Sequence, residues 1–146
     1  MPRRKTRRKV RRKVRRKTRR KHKMMNQEIY NTGSYQYDDV LDIKDIYLQE
    51  RVLNKLHEYN IHDYDENEID KNVDKDIVIY IDTKRLQFVI NEIDNNLPIY
   101  PVSIKRIQIW TRPHDPNRYK YIVMNGNHRI TASVIRGFTK IPVLYV

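Results

Sequence analysis

The chain has 146 residues, room for one domain and a tail, with 31 Lys/Arg, 18 Asp/Glu, no cysteine and a formal charge of +13. The lack of thiols excludes disulfides, thiolate metal sites and cysteine nucleophiles. No apolar run reaches the length of a membrane span, and no apolar core follows the basic start. The expected setting is therefore intracellular, in cytoplasm or nucleus, or inside a virus particle, with neither secretion nor a membrane partner.

The charge is uneven. Residues 1–23 hold sixteen Lys/Arg and no acid, while residues 24–146 set fifteen Lys/Arg against eighteen acids, a formal charge of −3. Residues 3–22 are five tandem tetrapeptides, each Arg-Arg-Lys followed by Thr, Val or His. Their cations are Arg3, Arg4, Lys5, Arg7, Arg8, Lys9, Arg11, Arg12, Lys13, Arg15, Arg16, Lys17, Arg19, Arg20 and Lys21. Such a run repels itself and has nothing to bury, so a disordered polybasic arm is expected. Thr6, Val10, Val14, Thr18 and His22 recur every four residues. On a helix that stripe would drift by about 40° per repeat and is too thin to pack. A polyanionic partner is the remaining explanation, and nucleic acid is preferred because the arm lacks an amphipathic membrane anchor. The plainer alternative is a solvated solubility or localisation tail.

Residues 24–37 are polar and aromatic around Thr-Gly-Ser and read as a linker. Leu41, Leu48, Val52, Leu56 and Tyr59 keep a roughly helical spacing behind Asp38 and Asp39, which predicts a helix over 38–59. Residues 60–76 form an acidic loop, so 38–76 reads as a helical extension. Asp63, Asp65, Glu66, Glu68, Asp70, Asp74 and Asp76 are oxygen ligands of the kind Ca²⁺ or Mg²⁺ takes, but the loop lacks the spacing and turn glycine of a calcium loop. It is read as a solvated acidic face. His57 and His62 resemble a zinc-protease pair one residue too long, and residues five apart do not share a helix face, so no metal site is expected.

Residues 76–82 are almost all β-branched or aromatic and predict a strand. Leu86, Val89, Ile90 and Ile93 predict a helix over 83–96, with Thr83 as N-cap, Asn95-Asn96 as its end and Pro98 blocking continuation. Residues 101–110 form a second strand whose alternation slips at Lys105-Arg106, suggesting a bulge. Trp110 reads as sheet packing, and His114 as surface of the loop 111–118. That loop leads to a strand at 119–124, expected to be antiparallel to the previous one. After Asn125-Gly126-Asn127 the period changes: Ile130, Val134 and Phe138, with Thr131 and Ile135 beside them, form a helix stripe, and Gly137 takes the C′ position. Residues 141–146 are a last strand. The expected order is β-α-β-β-α-β, an α/β (α+β) fold with a small mixed sheet and packed helices.

The stretch 119–136 carries the chemistry. A strand, a tight glycine turn and a helix aim free backbone N–H groups and a positive helix end at one spot, where phosphate binds well. His128 and Arg129 in the first turn add donors and charge. Asn-Gly is also a common hairpin turn, but no alternating strand follows Gly126. Asn127 as a simple N-cap is a plainer reading that is compatible with anion binding. Glu92 and Asp94 near the end of the preceding helix, and Asp82 at its start, are candidate bases or Mg²⁺ ligands, with solvated helix carboxylates as the alternative.

Residues 77–146 resemble the ParB/sulfiredoxin-like (ParB-like nuclease domain) superfamily. The carrying features are Leu97-Pro98-Ile99-Tyr100-Pro101-Val102-Ser103-Ile104, the strand Tyr121-Ile122-Val123-Met124, the run Asn125-Gly126-Asn127-His128-Arg129-Ile130-Thr131-Ala132, and the ending Gly137-Phe138-Thr139-Lys140-Ile141-Pro142-Val143. Upstream of residue 77 the resemblance stops. It implies a pocket for a nucleoside di- or triphosphate, ATP or CTP, with or without Mg²⁺, lined by Asn125, Gly126, Asn127, His128 and Arg129. Family members are chromosome-partitioning proteins that bind CTP, sulfiredoxins that use ATP, free serine kinases, and phage or plasmid proteins labelled nucleases.

Three departures narrow this. Sulfiredoxins carry their nucleophilic cysteine where Asn127 stands, so that chemistry is excluded. Partitioning proteins have Glu-Arg-Arg in place of Asn127-His128-Arg129 and a following helix-turn-helix domain, which these 146 residues do not contain. Many members have Asp where Asn125 sits, and Asn loses the charge that helps hold Mg²⁺. The residues and the resemblance together leave two readings. In one, the domain is a nucleotide-dependent enzyme or switch, of hydrolysing or phosphotransfer type with His128, Glu92 or Asp94 as candidate catalytic groups, held on nucleic acid by its arm. In the other, it is a non-enzymatic DNA-binding or genome-packaging protein with a degenerate domain. A nuclease is the weaker third.

Overall fold

In the computed structural model, residues 27–65, 80–107 and 121–146 are described. The arm, acidic residues 66–79 and the loop with Trp110 and His114 lie outside the described residues. So does most of the strand expected at 76–82; of its described end, residues 80–82, Asp82 has an extended backbone and none is in a strand of the sheet.

Short runs of β-branched residues build a five-stranded mixed sheet. Its strands are β1 (Asp39–Asp42), β2 (Ile46–Tyr47), β3 (Val102–Arg106), β4 (Tyr121–Asn125) and β5 (Lys140–Tyr145), in the order β1-β5-β3-β4-β2. β1 and β5, and β3 and β4, pair antiparallel; β3 and β5, and β2 and β4, pair parallel. Among the described residues the α-helices are α1 (Glu50–Glu58), α2 (Thr83–Asp94) and α3 (Asn127–Ile135). The mixed α/β class and the antiparallel β3–β4 pair agree with the sequence pattern.

Helix α3 is the centre of the molecule. Ile130 through Ile135 are buried without a break, because α1, α2 and β3 all pack against this one helix. A helix buried all round needs small or internally satisfied polar residues. Ala132 supplies the first, and Thr131, whose hydroxyl donates to the Asn127 carbonyl at 2.6 Å, supplies the second. Around it the core includes Leu86 and Ile90 of α2, Val52 and Leu56 of α1, and Val102, Ile104, Ile141 and Val143 of the sheet.

All three helices end in the same way. Asn60 (φ 61°), Asn96 (φ 54°) and Gly137 (φ 93°) each take the left-handed C′ position. In each case the next residue's N–H returns to the carbonyl five back: Ile61 to Leu56, Leu97 to Glu92 and Phe138 to Ser133. The C′ N–H bonds to His57, Ile93 and Val134 respectively, completing three Schellman motifs.

Several expectations are corrected. The helix expected over 38–59 starts only at Glu50; residues 39–47 are two strands joined by a 3-10 turn, Ile43–Asp45. Leu41 and Leu48 fit helical spacing by coincidence. Val40 and Ile46 sit better on a pleated surface, the open edges of β5 and β4 are there to receive the two strands, and Ile43, fully buried, anchors the turn between them. The segment thus supplies both edges of the sheet. The expected linker, in its described part 27–37, is packed: Tyr30 is buried, and Asn31 accepts from Ile99 N and donates to the Asn96 carbonyl, both at 2.8 Å. The N-cap of α2 is Asp82, not Thr83, and that of α3 is Gly126, not Asn127. The bulge lies on β4, not at Lys105-Arg106: Ser103 pairs with Asn125 but Ile104 with Val123, so Met124 is the extra residue.

Candidate phosphate site at the Gly126 turn

The bulge and the glycine act in sequence. The bulge turns the end of β4, and Gly126, at φ 116° and ψ 24°, starts α3 in a backbone conformation that L side chains rarely adopt. The turn also lies on the sheet. A Cβ at Gly126 would stand 3.0 and 3.2 Å from the Val102 methyls and 3.3 Å from the Arg129 guanidinium carbon. Among the described residues no side chain caps α3, and its first internal bond is Ile130 N to the Gly126 carbonyl. The N–H groups of Asn127, His128 and Arg129 form the free positive end of the helix.

A second helix start meets the first. The backbone N–H of Asp82, the N-cap of α2, donates to His128 Nε2 at 2.9 Å. That nitrogen must be an acceptor, so His128 is neutral with its proton on Nδ1. Burial first, and then the positive charge of Arg85, holds its pKa below the ordinary imidazole value. His128 therefore joins two helix N-termini and is not the cation the sequence suggests. The Asp82 carboxylate accepts from Arg85 N at 3.0 Å and serves as a cap, not as a base.

Arg129 is turned inward. Its Nη1 donates to the carbonyls of Tyr100 (3.1 Å) and Pro101 (2.6 Å), and its Nη2 to Asn125 Oδ1 (3.2 Å). Its guanidinium carbon lies 5.7 Å from the centre of the Tyr100 ring. Burial is the main cause of its lowered pKa, yet an arginine stays charged in a protein. The Tyr30 hydroxyl donates to the Tyr100 carbonyl as well, at 2.7 Å, and burial pushes its pKa up. Arg129 and Tyr30 together fix the segment 97–101 against the turn.

These groups border a cleft of about 580 Å³ lined by Tyr35, Arg85, Phe88, Val89, Glu92, Pro98, Ile99, Tyr100, Asn125, Gly126, His128 and Arg129. Of the residues singled out in the sequence, Asn125, Gly126, His128, Arg129 and Glu92 come together here; the Asn127 side chain and Asp94 do not line it. Asp94 instead accepts two bonds from Arg136, at 2.7 and 2.9 Å, in a half-buried ion pair between α2 and α3. That removes it as a base or Mg²⁺ ligand. Asp94→Asn is expected to cost about 1–3 kcal/mol of stability, by weakening a charge-assisted pair, which chemical denaturation measures.

Arg85, Phe88, Tyr35 and Tyr100 escape a reading of the sequence. Arg85, Phe88, Val89 and Glu92 share one helix face, and Phe88 is 62 % exposed. An exposed phenylalanine beside an arginine on that face is a readable signal. Arg85 makes no ion pair with another described residue and is exposed at the cleft. Tyr35, edge-on to Tyr100 with ring centres 5.1 Å apart, reaches the site only through the packing of residues 27–37.

The chain matches no protein-family model, no curated protein and no solved structure.

Proposed function

We propose that this chain is a ParB/sulfiredoxin-like domain that binds a nucleoside di- or triphosphate, ATP or CTP, in the cleft at the Gly126 turn, and is held on nucleic acid by its polybasic arm. The observation that carries the reading is the uncapped start of α3, against which no Cβ intrudes, opening into a cleft bordered by Arg85. A phosphate would take the N–H groups of Asn127, His128 and Arg129, with Arg85 supplying the mobile positive charge. Arg129 has three N–H bonds committed to protein acceptors and acts by holding the turn. Tyr35, Phe88 and Tyr100 offer exposed rings for the base or sugar. The volume is that of an ordinary small-ligand site.

Binding without turnover is the better-supported form. Of the carboxylates weighed, Asp94 and Asp82 are occupied as ion pair and cap, and Asn125 Oδ1 is taken by Arg129, which leaves Glu92 at the cleft. Mg²⁺ fits only as an ion carried by the nucleotide's own phosphates with Glu92 beside it. The chain is then a nucleotide-binding switch or a packaging factor before it is a hydrolase or nuclease.

The test is calorimetry of the full chain with ATP and CTP at physiological salt, compared with Arg85→Ala. Both chains carry the arm, so any binding of nucleotide to the arm cancels. Losing a charged hydrogen bond costs about 1.5–3 kcal/mol, roughly ten- to over a hundred-fold in affinity. Equal affinity in the two chains contradicts the site.

A further inference from the structure

We propose that His57, His62 and Asp65 form a binding site for one divalent transition-metal ion of the Zn²⁺ class, on the outer face of the turn after α1. The two histidines are five residues apart and could not meet on a continuous helix. They meet because α1 stops at Glu58, and Asn60, at φ 61°, reverses the chain. Ile61 (3 % exposed) and Tyr64 (5 % exposed) then plug into the core on either side of His62. Anchored twice, the turn holds His62 and Asp65 outward beside His57. The two imidazole rings stack with centres 4.6 Å apart and planes 26° apart. His57 Nε2 lies 2.6 Å from one oxygen of Asp65, and His62 Nδ1 lies 2.8 Å from the other. One potential ligand atom from each residue lies within 4.8 Å of the others.

Three ligand atoms thus converge from a pre-shaped turn. Tetrahedral zinc, with bonds near 2.0–2.1 Å, sets its ligand atoms about 3.3 Å apart. The two nitrogen–carboxylate contacts lengthen by roughly 0.5–0.7 Å to seat the ion, and all three ligand atoms start within 4.8 Å of one another, adjustments within reach of side chains this exposed. Two imidazoles and one carboxylate select Zn²⁺, Co²⁺ or Ni²⁺ over Ca²⁺ and Mg²⁺, which prefer all-oxygen shells. Both nitrogens now donate to Asp65, since an ionised carboxylate only accepts. To bind the ion each ring moves that proton to its other nitrogen and presents a lone pair. With three protein ligands the fourth position falls to water, and the ion clips the end of α1 to the turn.

Titrating the full chain with ZnCl₂ by calorimetry, with a thermal melt in parallel, tests this. One Zn²⁺ per chain should bind and raise Tm, and EDTA should reverse the shift. Co²⁺ should give visible absorption bands. His62→Ala, at a side chain 59 % exposed and therefore safe for folding, should weaken Zn²⁺ at least ten-fold and remove the Co²⁺ bands, and Asp65→Asn should weaken it too. Failure of Zn²⁺ to bind at millimolar concentration, or unchanged Zn²⁺ affinity in His62→Ala, overturns the site; the second result would place any bound ion on other histidines.

Discussion

Gly126→Val is expected to unfold the domain or leave it close to unfolding, and to abolish nucleotide binding in whatever fraction remains folded. Two costs add at this position. A β-branched residue at φ 116° is strained by about 1–3 kcal/mol. The new Cβ also meets the Val102 methyls at 3.0 and 3.2 Å, where Val102 is fully buried at the head of β3. Forcing extra carbons into such a packed contact costs roughly another 1–3 kcal/mol. A domain of this size has only about 5–15 kcal/mol in total. Gly126→Ala carries the strain with fewer added atoms and should melt between the parent and the valine variant. A circular-dichroism melt reads all three, and a valine variant as stable as the parent means the left-handed turn is absent.

Deleting residues 2–23 is expected to remove nearly all affinity for duplex DNA. The deleted segment holds sixteen cations and no acid, and residues 24–146 are formally −3, so the remainder should be repelled by a polyanion. The arm has no aromatic residue to stack on bases and so can only follow phosphates. If it engages about ten of them, log K should fall against log salt with a slope of about −9, and affinity should drop by roughly 10⁵-fold between 50 and 200 mM salt. Fluorescence anisotropy on two unrelated duplexes should give the same slope for both. A truncated chain that keeps tight binding, or a strong preference for one duplex, assigns DNA reading to the folded part.

The features legible in the sequence obey local rules. The turn at Gly126, the stripe of α3, the apolar face of α2 and the Gly137 ending depend on residues within a few positions of one another. The antiparallel β3–β4 pair joins two β-rich runs that are neighbours in the order of strands along the chain. The errors fall where a distant partner decides. Residues 39–47 are strands because β4 and β5 lend them edges, about one hundred residues away in the case of β5. Residues 27–37 look like linker because their bonds to residues 96–100 cannot be seen from composition. At the site, Gly126 is legible from its type alone. The roles of His128 and Arg129 are not, because each is set by acceptors or donors contributed from elsewhere: Asp82 N for the histidine, and the Tyr100 and Pro101 carbonyls for the arginine. The sequence suggests two cations facing the phosphate. One is instead a neutral connector and the other a clamp, and the exposed cation at the cleft is Arg85 on α2.

The proposed phosphate site therefore stands or falls on whether a nucleotide binds at the start of α3. A basic arm attracts any polyphosphate, so binding alone decides little. The deciding measurement is a titration of ¹⁵N-labelled full chain with ATP and with CTP, followed amide by amide in heteronuclear NMR spectra. The expected result is that the Asn127, His128 and Arg129 amides move most and saturate together with the Arg85 side-chain signal. Shifts confined to residues 1–23, with the start of α3 unmoved at saturating nucleotide, would contradict a phosphate site at the Gly126 turn.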